Sequence, residues 1–348
     1  MDFIPVNEPL LNGNEKKYLN ECIDTGWISS EGPFVKELED KFSKRVGRKF
    51  GIAVCNGTAA LEAAVLALGI GKGDEVIMPA FTIISCASAI IRAGATPVLV
   101  DAEPDTWNMN VEQIRNKLTK RTKAIMAVHI YGLPVDMDPL IELAVEYNLK
   151  IIEEAAEVIG QIYKEKQCGS FGDISTFSFY PNKHITTGEG GMIVTDDEDL
   201  AKKCRSLRNL CFEPQKRFVH SEMGYNFRMT NMQAALGKAQ LERLDEFIKI
   251  KRSTGAKYTE LFSDNPMITI PIEKTAYSDN IYWVFGIVLN KECGFNSDDA
   301  MKRLSEKKIG TRPFFYPMHL QPVFQKTDLF KNESYPVSEN LSANGFYI

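Results

Sequence analysis

Lys183 is the residue in this chain whose type and setting best suit covalent chemistry. It stands in Ser175 to Gly191, which reads STFSFYPNKHITTGEGG. Ser175 to Tyr180 alternates small hydroxyl and aromatic residues, which predicts a half-buried strand. Pro181 ends that strand, because it has no N–H to give a ladder. Thr186 to Gly191 follows, with glycines at 188, 190 and 191, and predicts a turn with positive φ and close backbone approach. A lysine between the two is held with little freedom and points back toward the sheet. Fixed and partly desolvated, it could lose its proton near neutral pH. The free amine could then attack an aldehyde and form a Schiff base. A solvated loop lysine is the plainer alternative, so the chemistry depends on whether other parts of a site are present.

The elements that would position such a site read as alternating strands and helices. Gly51 to Val54 is a short apolar strand, followed by Cys55-Asn56-Gly57-Thr58-Ala59-Ala60 and a helix through Leu68. Free N–H groups and the helix dipole at such a start bind phosphate, and Thr58 adds a hydroxyl; an ordinary capped helix is the alternative. Glu75 to Met78 and Thr96 to Val100 are strands with a helix, Thr82 to Ala93, between them. Lys123 to His129 and Asn148 to Ile152 continue the β-α-β rhythm, which implies a mostly parallel sheet covered by helices. The last of these runs into Glu153-Glu154-Ala155-Ala156-Glu157. Acids at the C-terminal end of a parallel strand lie where open α/β sheets bind ligands, or they serve a helix N-terminus. His129, at a strand end, reads as structural.

Other segments frame this core. Asn14 to Asp24 and Phe34 to Lys44 read as amphipathic helices. The loop between them, TGWISSEGP, offers Trp27, Ser29 and Ser30, which either face a sugar or anchor the loop. Met192 to Thr195 is a strand, Glu198 to Arg208 a helix, and Arg208 to Ser221 a long loop. A helix of about 20 residues is expected from Asn231. Pro266 to Pro271 and Ile281 to Leu289 read as strands and Ser297 to Lys307 as a helix, giving a smaller α+β domain. The expected division is 1–250 for a large domain and 251–348 for a small one. In RPFFYPMH, Arg312, Tyr316 and His319 are candidates for substrate contact, Arg312 through a phosphate, or else members of the domain contact.

The run FSFYPNKHITTGEGGM resembles the cofactor-lysine segment of the sugar-nucleotide aminotransferases (the DegT/StrS family), which are pyridoxal-phosphate enzymes of fold type I. The resemblance extends from PVNEPLLNGNE to TRPFFYPMHLQPVF, nearly the whole chain. Together with GYNFRMTN and TRPFFYPMH, it is most similar to the enzymes that make perosamine or viosamine. It implies an aspartate-aminotransferase-like fold, a three-layer α/β/α domain plus the smaller one. It also implies that Lys183 holds pyridoxal 5'-phosphate, with pyridoxamine phosphate as the amine-carrying intermediate. Thr58, Ala59 and Ser178 would hold the cofactor phosphate. Glu154 would take the ring nitrogen in place of the usual aspartate, its extra methylene absorbed by a small shift. Glu157 falls at the ring-stacking position, and Ile83 replaces an aromatic wall with one that has no π-face. Asn226 would reach the phosphate of a neighbouring subunit, which implies a homodimer with shared sites. The implied reaction moves an amine from L-glutamate to C4 of a nucleotide-linked 4-keto-6-deoxyhexose, for glycan biosynthesis. The family commonly continues beyond GFYI with a further helix.

Composition bounds the rest. The chain has 348 residues, 44% hydrophobic and 25% charged, enough for a large core and two domains. A net charge of −5 and a pI near 5.6 argue against nucleic acid as a partner. No apolar run approaches a membrane span of roughly 20 residues, and the first residues, MDFIPVNEPL, lack the pattern of a signal peptide. Seven scattered cysteines without CxxC spacing suggest reduced thiols and a cytoplasmic setting. Four histidines, none paired at ligand spacing, give no metal site. Two rivals to amino transfer are a dehydratase on the same cofactor, which has histidine at the lysine position, and a non-catalytic regulatory protein of the same fold. Lys183, Ser178, Thr58 and the carboxylate at 154 favour the transferase. A nicotinamide oxidoreductase would need a G-x-G-x-x-G turn, and none is present.

Overall fold

The computed structural model describes residues 2–213, 215–327 and 329–348. Met1, and Pro214 within the predicted loop 208–221, lie outside the described residues. In chain order the helices are α1 (Glu15–Thr25), α2 (Pro33–Val46), α3 (Gly57–Ala67), α4 (Ile84–Arg92), α5 (Ile114–Lys117), α6 (Met137–Tyr147), α7 (Glu198–Arg208), α8 (Asn231–Leu241), α9 (Leu244–Phe262), α10 (Ser297–Glu306), α11 (Pro322–Gln325) and α12 (Pro336–Asn344). The strands are β1 (Phe50–Val54), β2 (Glu75–Pro79), β3 (Thr96–Val100), β4 (Thr122–Val128), β5 (Lys150–Glu154), β6 (Ile162–Tyr163), β7 (Lys166–Gln167), β8 (Ile174–Ser178), β9 (Gly191–Thr195), β10 (Ile268–Thr269), β11 (Gly286–Leu289), β12 (Arg312–Pro313) and β13 (Gly345–Tyr347).

A seven-stranded sheet in the order β1-β9-β8-β5-β4-β2-β3 forms the centre. It is parallel from β8 to β3, while β9 runs antiparallel to both its neighbours. Its strands are nearly continuous apolar runs because helices cover both faces. Alternate side chains divide between two cores. Ile52, Met78, Met126 and Ile152 pack with α3 and α4 on one face. Ala53, Ile77, Ile125 and Ile151 pack with α1, α2 and α6 on the other. This is the expected three-layer α/β/α arrangement. A second, antiparallel sheet, β10-β11-β13-β12, follows α9. An isolated bridge between Ile4 and Ile309 ties the N-terminal segment to the chain that leads into β12. No helix among the described residues is long and apolar enough to cross a membrane.

Two elements differ from expectation. The helix from Asn231 stops at Leu241, and the chain resumes as α9 after Arg243 leaves helical geometry at φ −118°, ψ 12°. Just before the break, the Gln240 side chain is drawn onto the Leu10 carbonyl and the Glu15 carboxylate. The strand expected over 281–289 begins only at Gly286. Before it, Tyr282 takes φ +52°, and its N–H donates to Asn280 Oδ1 at 2.8 Å. That turn removes Trp283 from the sheet and swings it toward the C-terminal edge of the large sheet.

Candidate active site

Two loops at that edge are built against each other. The Asn56 side chain caps α3 by accepting the Ala59 N–H at 2.8 Å. A Cβ on Gly57 would come within 2.7 Å of the Ser178 Cβ, and one on Gly191 within 2.6 Å of the Asn56 carbonyl. Glycine at both places lets the start of α3 and the lysine loop touch backbone to backbone. The lysine loop is closed by its own hydrogen bonds. Phe179 N–H donates to the Gly190 carbonyl at 2.8 Å and Thr187 N–H to the Phe179 carbonyl at 3.0 Å. Lys183 N–H returns to the Tyr180 carbonyl at 2.9 Å.

These loops frame a cleft of about 600 Å³, lined by Thr58, Ala59, Ile83, Glu154, Glu157, Ser178 and Lys183 among others. Lys183 is no solvated loop residue: its side chain is only 11% exposed. Its Nζ lies 3.5 Å from Glu157 Oε1 and 3.9 Å from the centroid of the Trp283 ring. Glu157 is anchored in turn by the Tyr131 N–H, which donates to Oε2 at 2.8 Å. Burial pushes the Glu157 carboxyl up from its ordinary range, and the Lys183 charge opposes this. Glu154, at the end of β5, is buried with one protein donor, the Ala156 N–H at 3.3 Å. Burial pushes it up to about 8, opposed by Lys183 and reinforced by Glu157 and Glu153. The carboxyl is therefore poised to gain or give a proton near neutrality.

At the start of α3, Thr58 Oγ1 lies 2.9 Å from Ser85 Oγ. Because Ala59 N–H is spent on Asn56, the donors that the start of α3 leaves without an intrahelical acceptor are those of Gly57 and Thr58. Ile83 stands at the cap of α4, 42% exposed into the cleft.

The remaining sequence candidates are elsewhere. Asn226 does not line this cleft; its Oδ1 accepts from Arg228 Nε at 2.9 Å. Trp27, Ser29, Arg312 and Tyr316 are exposed and outside the lining. His319 is buried outside the lining, with its ring 2.9 Å from Glu339 and edge-on to Tyr335. His129 is fully buried: Nδ1 accepts the Val135 N–H at 3.0 Å, and Nε2 donates to Glu153 at 2.9 Å. Cys168 lies near enough to make a three-residue cluster with them. Glu153, however, is already taken up by the Phe171 N–H and the Ser175 hydroxyl.

Sequence reasoning missed Trp283, Ser85, Phe315 and Tyr347, all of which line the cleft. Trp283 also donates Nε1–H to the Asn182 carbonyl at 2.7 Å, pinning the residue before the lysine. Phe315 had a signal, as the central aromatic of FFY, but nothing to mark it out from its neighbours.

Comparison with known proteins agrees with this geometry. GDP-perosamine synthase of Caulobacter vibrioides is 46% identical over 322 residues, covering 92% of this chain and 86% of that one. GDP-perosamine synthase of Escherichia coli O157:H7 is 43% identical over 346 residues, covering 99% and 92%. Among solved structures, the aminotransferase TlmJ of Streptoalloteichus hindustanus matches with a TM-score of 0.92 at 27% identity, covering 99% of this chain and 92% of that one. Residues 9–348 match one family description over nearly their whole length, and the chain belongs to the DegT/DnrJ/EryC1/StrS aminotransferase family.

Proposed function

We propose that this aminotransferase uses pyridoxal 5'-phosphate to move an amino group from L-glutamate to C4 of a GDP-linked 4-keto-6-deoxyhexose, giving a perosamine-type product. The observation that carries the reading is Lys183 Nζ, lodged between Glu157 and the Trp283 face in one cleft with Glu154 and the start of α3. The GDP assignment draws on the likeness to GDP-perosamine synthases at 42–46% identity.

The residues fit the cofactor. A buried carboxyl, a helix start with free N–H groups and an amine line one cleft. When bound, the cofactor supplies an aldehyde for the lysine and a protonated ring that draws electrons from the reacting carbon. Lys183 would hold the cofactor through its Nζ, and the free amine would serve as the base that moves the donor α-proton. Glu154 holds the ring nitrogen protonated. The N–H groups of Gly57 and Thr58, with the Thr58 and Ser178 hydroxyls, hold the phosphate. Ile83, which lines the cleft, would offer an apolar wall to the ring. Glu157 and Trp283 hold Lys183 in register between strokes.

Trp27, Ser29, Arg312 and Tyr316, exposed outside the cleft lining, remain the candidates for contact with the nucleotide sugar. His319, paired with Glu339, drops out of that group. Remote contacts to the nucleotide position the reacting carbon, so a substrate stripped of its nucleotide loses turnover as well as affinity. Incubation of the protein with GDP-4-keto-6-deoxyhexose and glutamate, with mass and NMR analysis of the product, tests the reading. An amine at C4 is expected; an amine at C3, or no reaction, overturns it.

Asn226 lies outside the cleft of its own chain, which suits a role at the phosphate of a second subunit. The active species is then at least a dimer. Sedimentation velocity at working concentration should show it, and a fully active monomer would refute the shared site.

A further inference from the structure

A second, smaller cavity of about 130 Å³ lies behind the lysine loop, against the N-terminal strap and α9. Lys183 lines both this cavity and the main cleft. His184 lines it too. It is 4% exposed, and neither of its ring nitrogens has a hydrogen-bond partner in the protein. The Ile281 backbone lies beside the ring without reaching hydrogen-bond geometry. Lys251 lines the cavity as well, its Nζ donating to Asn7 Oδ1 at 2.9 Å and the Trp283 carbonyl at 3.1 Å. Glu8, Pro9 and Leu10, and Ile250 at 47% exposure, form the outer wall, so the space leads from solvent to the rear of Lys183.

An unsatisfied buried polar group costs about 1–3 kcal/mol, and proteins ordinarily meet that cost with water where the space is polar and roomy. At about 30 Å³ per water, this cavity has room for roughly four. We propose that water here, bridged by His184, carries protons between bulk solvent and Lys183, resetting the amine from behind while substrate fills the cleft. The inference rests on Lys183 being the proton carrier of the proposed reaction. The exchange is balanced. Lys183 Nζ gives a proton to a cavity water, the His184 ring accepts at one nitrogen as it releases from the other, and solvent returns a proton along the same path. His184 acts as a neutral bridge, because burial, with Lys251, Lys183 and Arg252 nearby, pushes its imidazole down to about 3. Burial also pushes the Lys251 ammonium down to about 8, which makes it a ready donor to the chain of water.

The test follows label from glutamate deuterated at its α-carbon into the amine form of the cofactor, in ordinary water. Wild type should wash out most of the label, because the proton on Lys183 exchanges. His184→Phe and His184→Gln should each raise carry-over several-fold. A purely structural defect slows the reaction without raising retention. Equal retention in wild type and both variants overturns the proton path. The second readout needs no turnover: a high-resolution crystal structure of the cofactor-free protein should show water within hydrogen-bond distance of His184 and Lys251. A dry cavity counts against the path alone, whereas failure of wild type to remove the glutamate α-deuterium counts against the donor reading.

Discussion

Lys183→Ala will abolish amino transfer and leave a folded protein. On the proposed reading, two functions leave with one side chain: the nucleophile that links the cofactor and the base that moves the proton. A positioned acid–base group alone contributes about 10²–10⁴-fold, so turnover should fall by at least ~10³-fold. The lysine also packs: its Nζ sits on the Trp283 ring and beside Glu157. Losing a partly buried cation–π contact and a long ion pair should cost on the order of 2 kcal/mol. Glu157 keeps the Tyr131 N–H, and losing the Lys183 charge removes what opposes the upward push of burial on its carboxyl. Far-UV circular dichroism should therefore match wild type, while borohydride reduction should no longer attach cofactor to the chain. Near-normal turnover in this variant would sink the mechanism.

Much of this site was legible in the sequence because its parts are local. The alternation in STFSF, the proline after it and the glycines beyond specify a strand, a stop and a tight turn. Together these leave Lys183 one direction in which to point. Glu154 was legible by the same logic, as an acid at the end of an apolar parallel strand. The residues that escaped reach the cleft through long-range geometry. Trp283 lies 100 residues from Lys183 in an apolar run that reads as strand. Only the turn at Tyr282, set by the Asn280 side chain, delivers its ring to the lysine. In FFY, Phe314 is buried, Phe315 lines the cleft and Tyr316 is exposed, and no pattern in three adjacent aromatics announces that division. His319 looked like a ligand contact because its partner, Glu339, is 20 residues further on. The break between α8 and α9 carries neither glycine nor proline; it is enforced by tertiary contacts of Gln240.

Glu154→Gln will lower turnover on the order of 10²–10³-fold, the range for removing one preorganised electrostatic partner, and will also change how stability depends on pH. The two effects share a cause. In the cofactor-free protein, burial pushes this carboxyl up to about 8 from an ordinary value of 4.5. The folded chain thus holds a proton that the unfolded chain has released. Between those values the folded state binds more protons than the unfolded, so stability falls as pH rises. One proton corresponds to about 1.4 kcal/mol per pH unit. His184 acts in the opposite direction, but only below its ordinary value of 6.5, and Lys251 acts only above about 8. The interval from pH 6.5 to 8 therefore reports the acidic groups. Over it, calorimetry should show cofactor-free wild type losing stability and Glu154→Gln losing distinctly less. Glu154→Asp keeps the charge and shortens the reach by one methylene, so it should recover part of the lost turnover. Equal pH slopes in wild type and Glu154→Gln, or full activity in the glutamine variant, would show that Glu154 is neither the protonated group nor the partner of the ring.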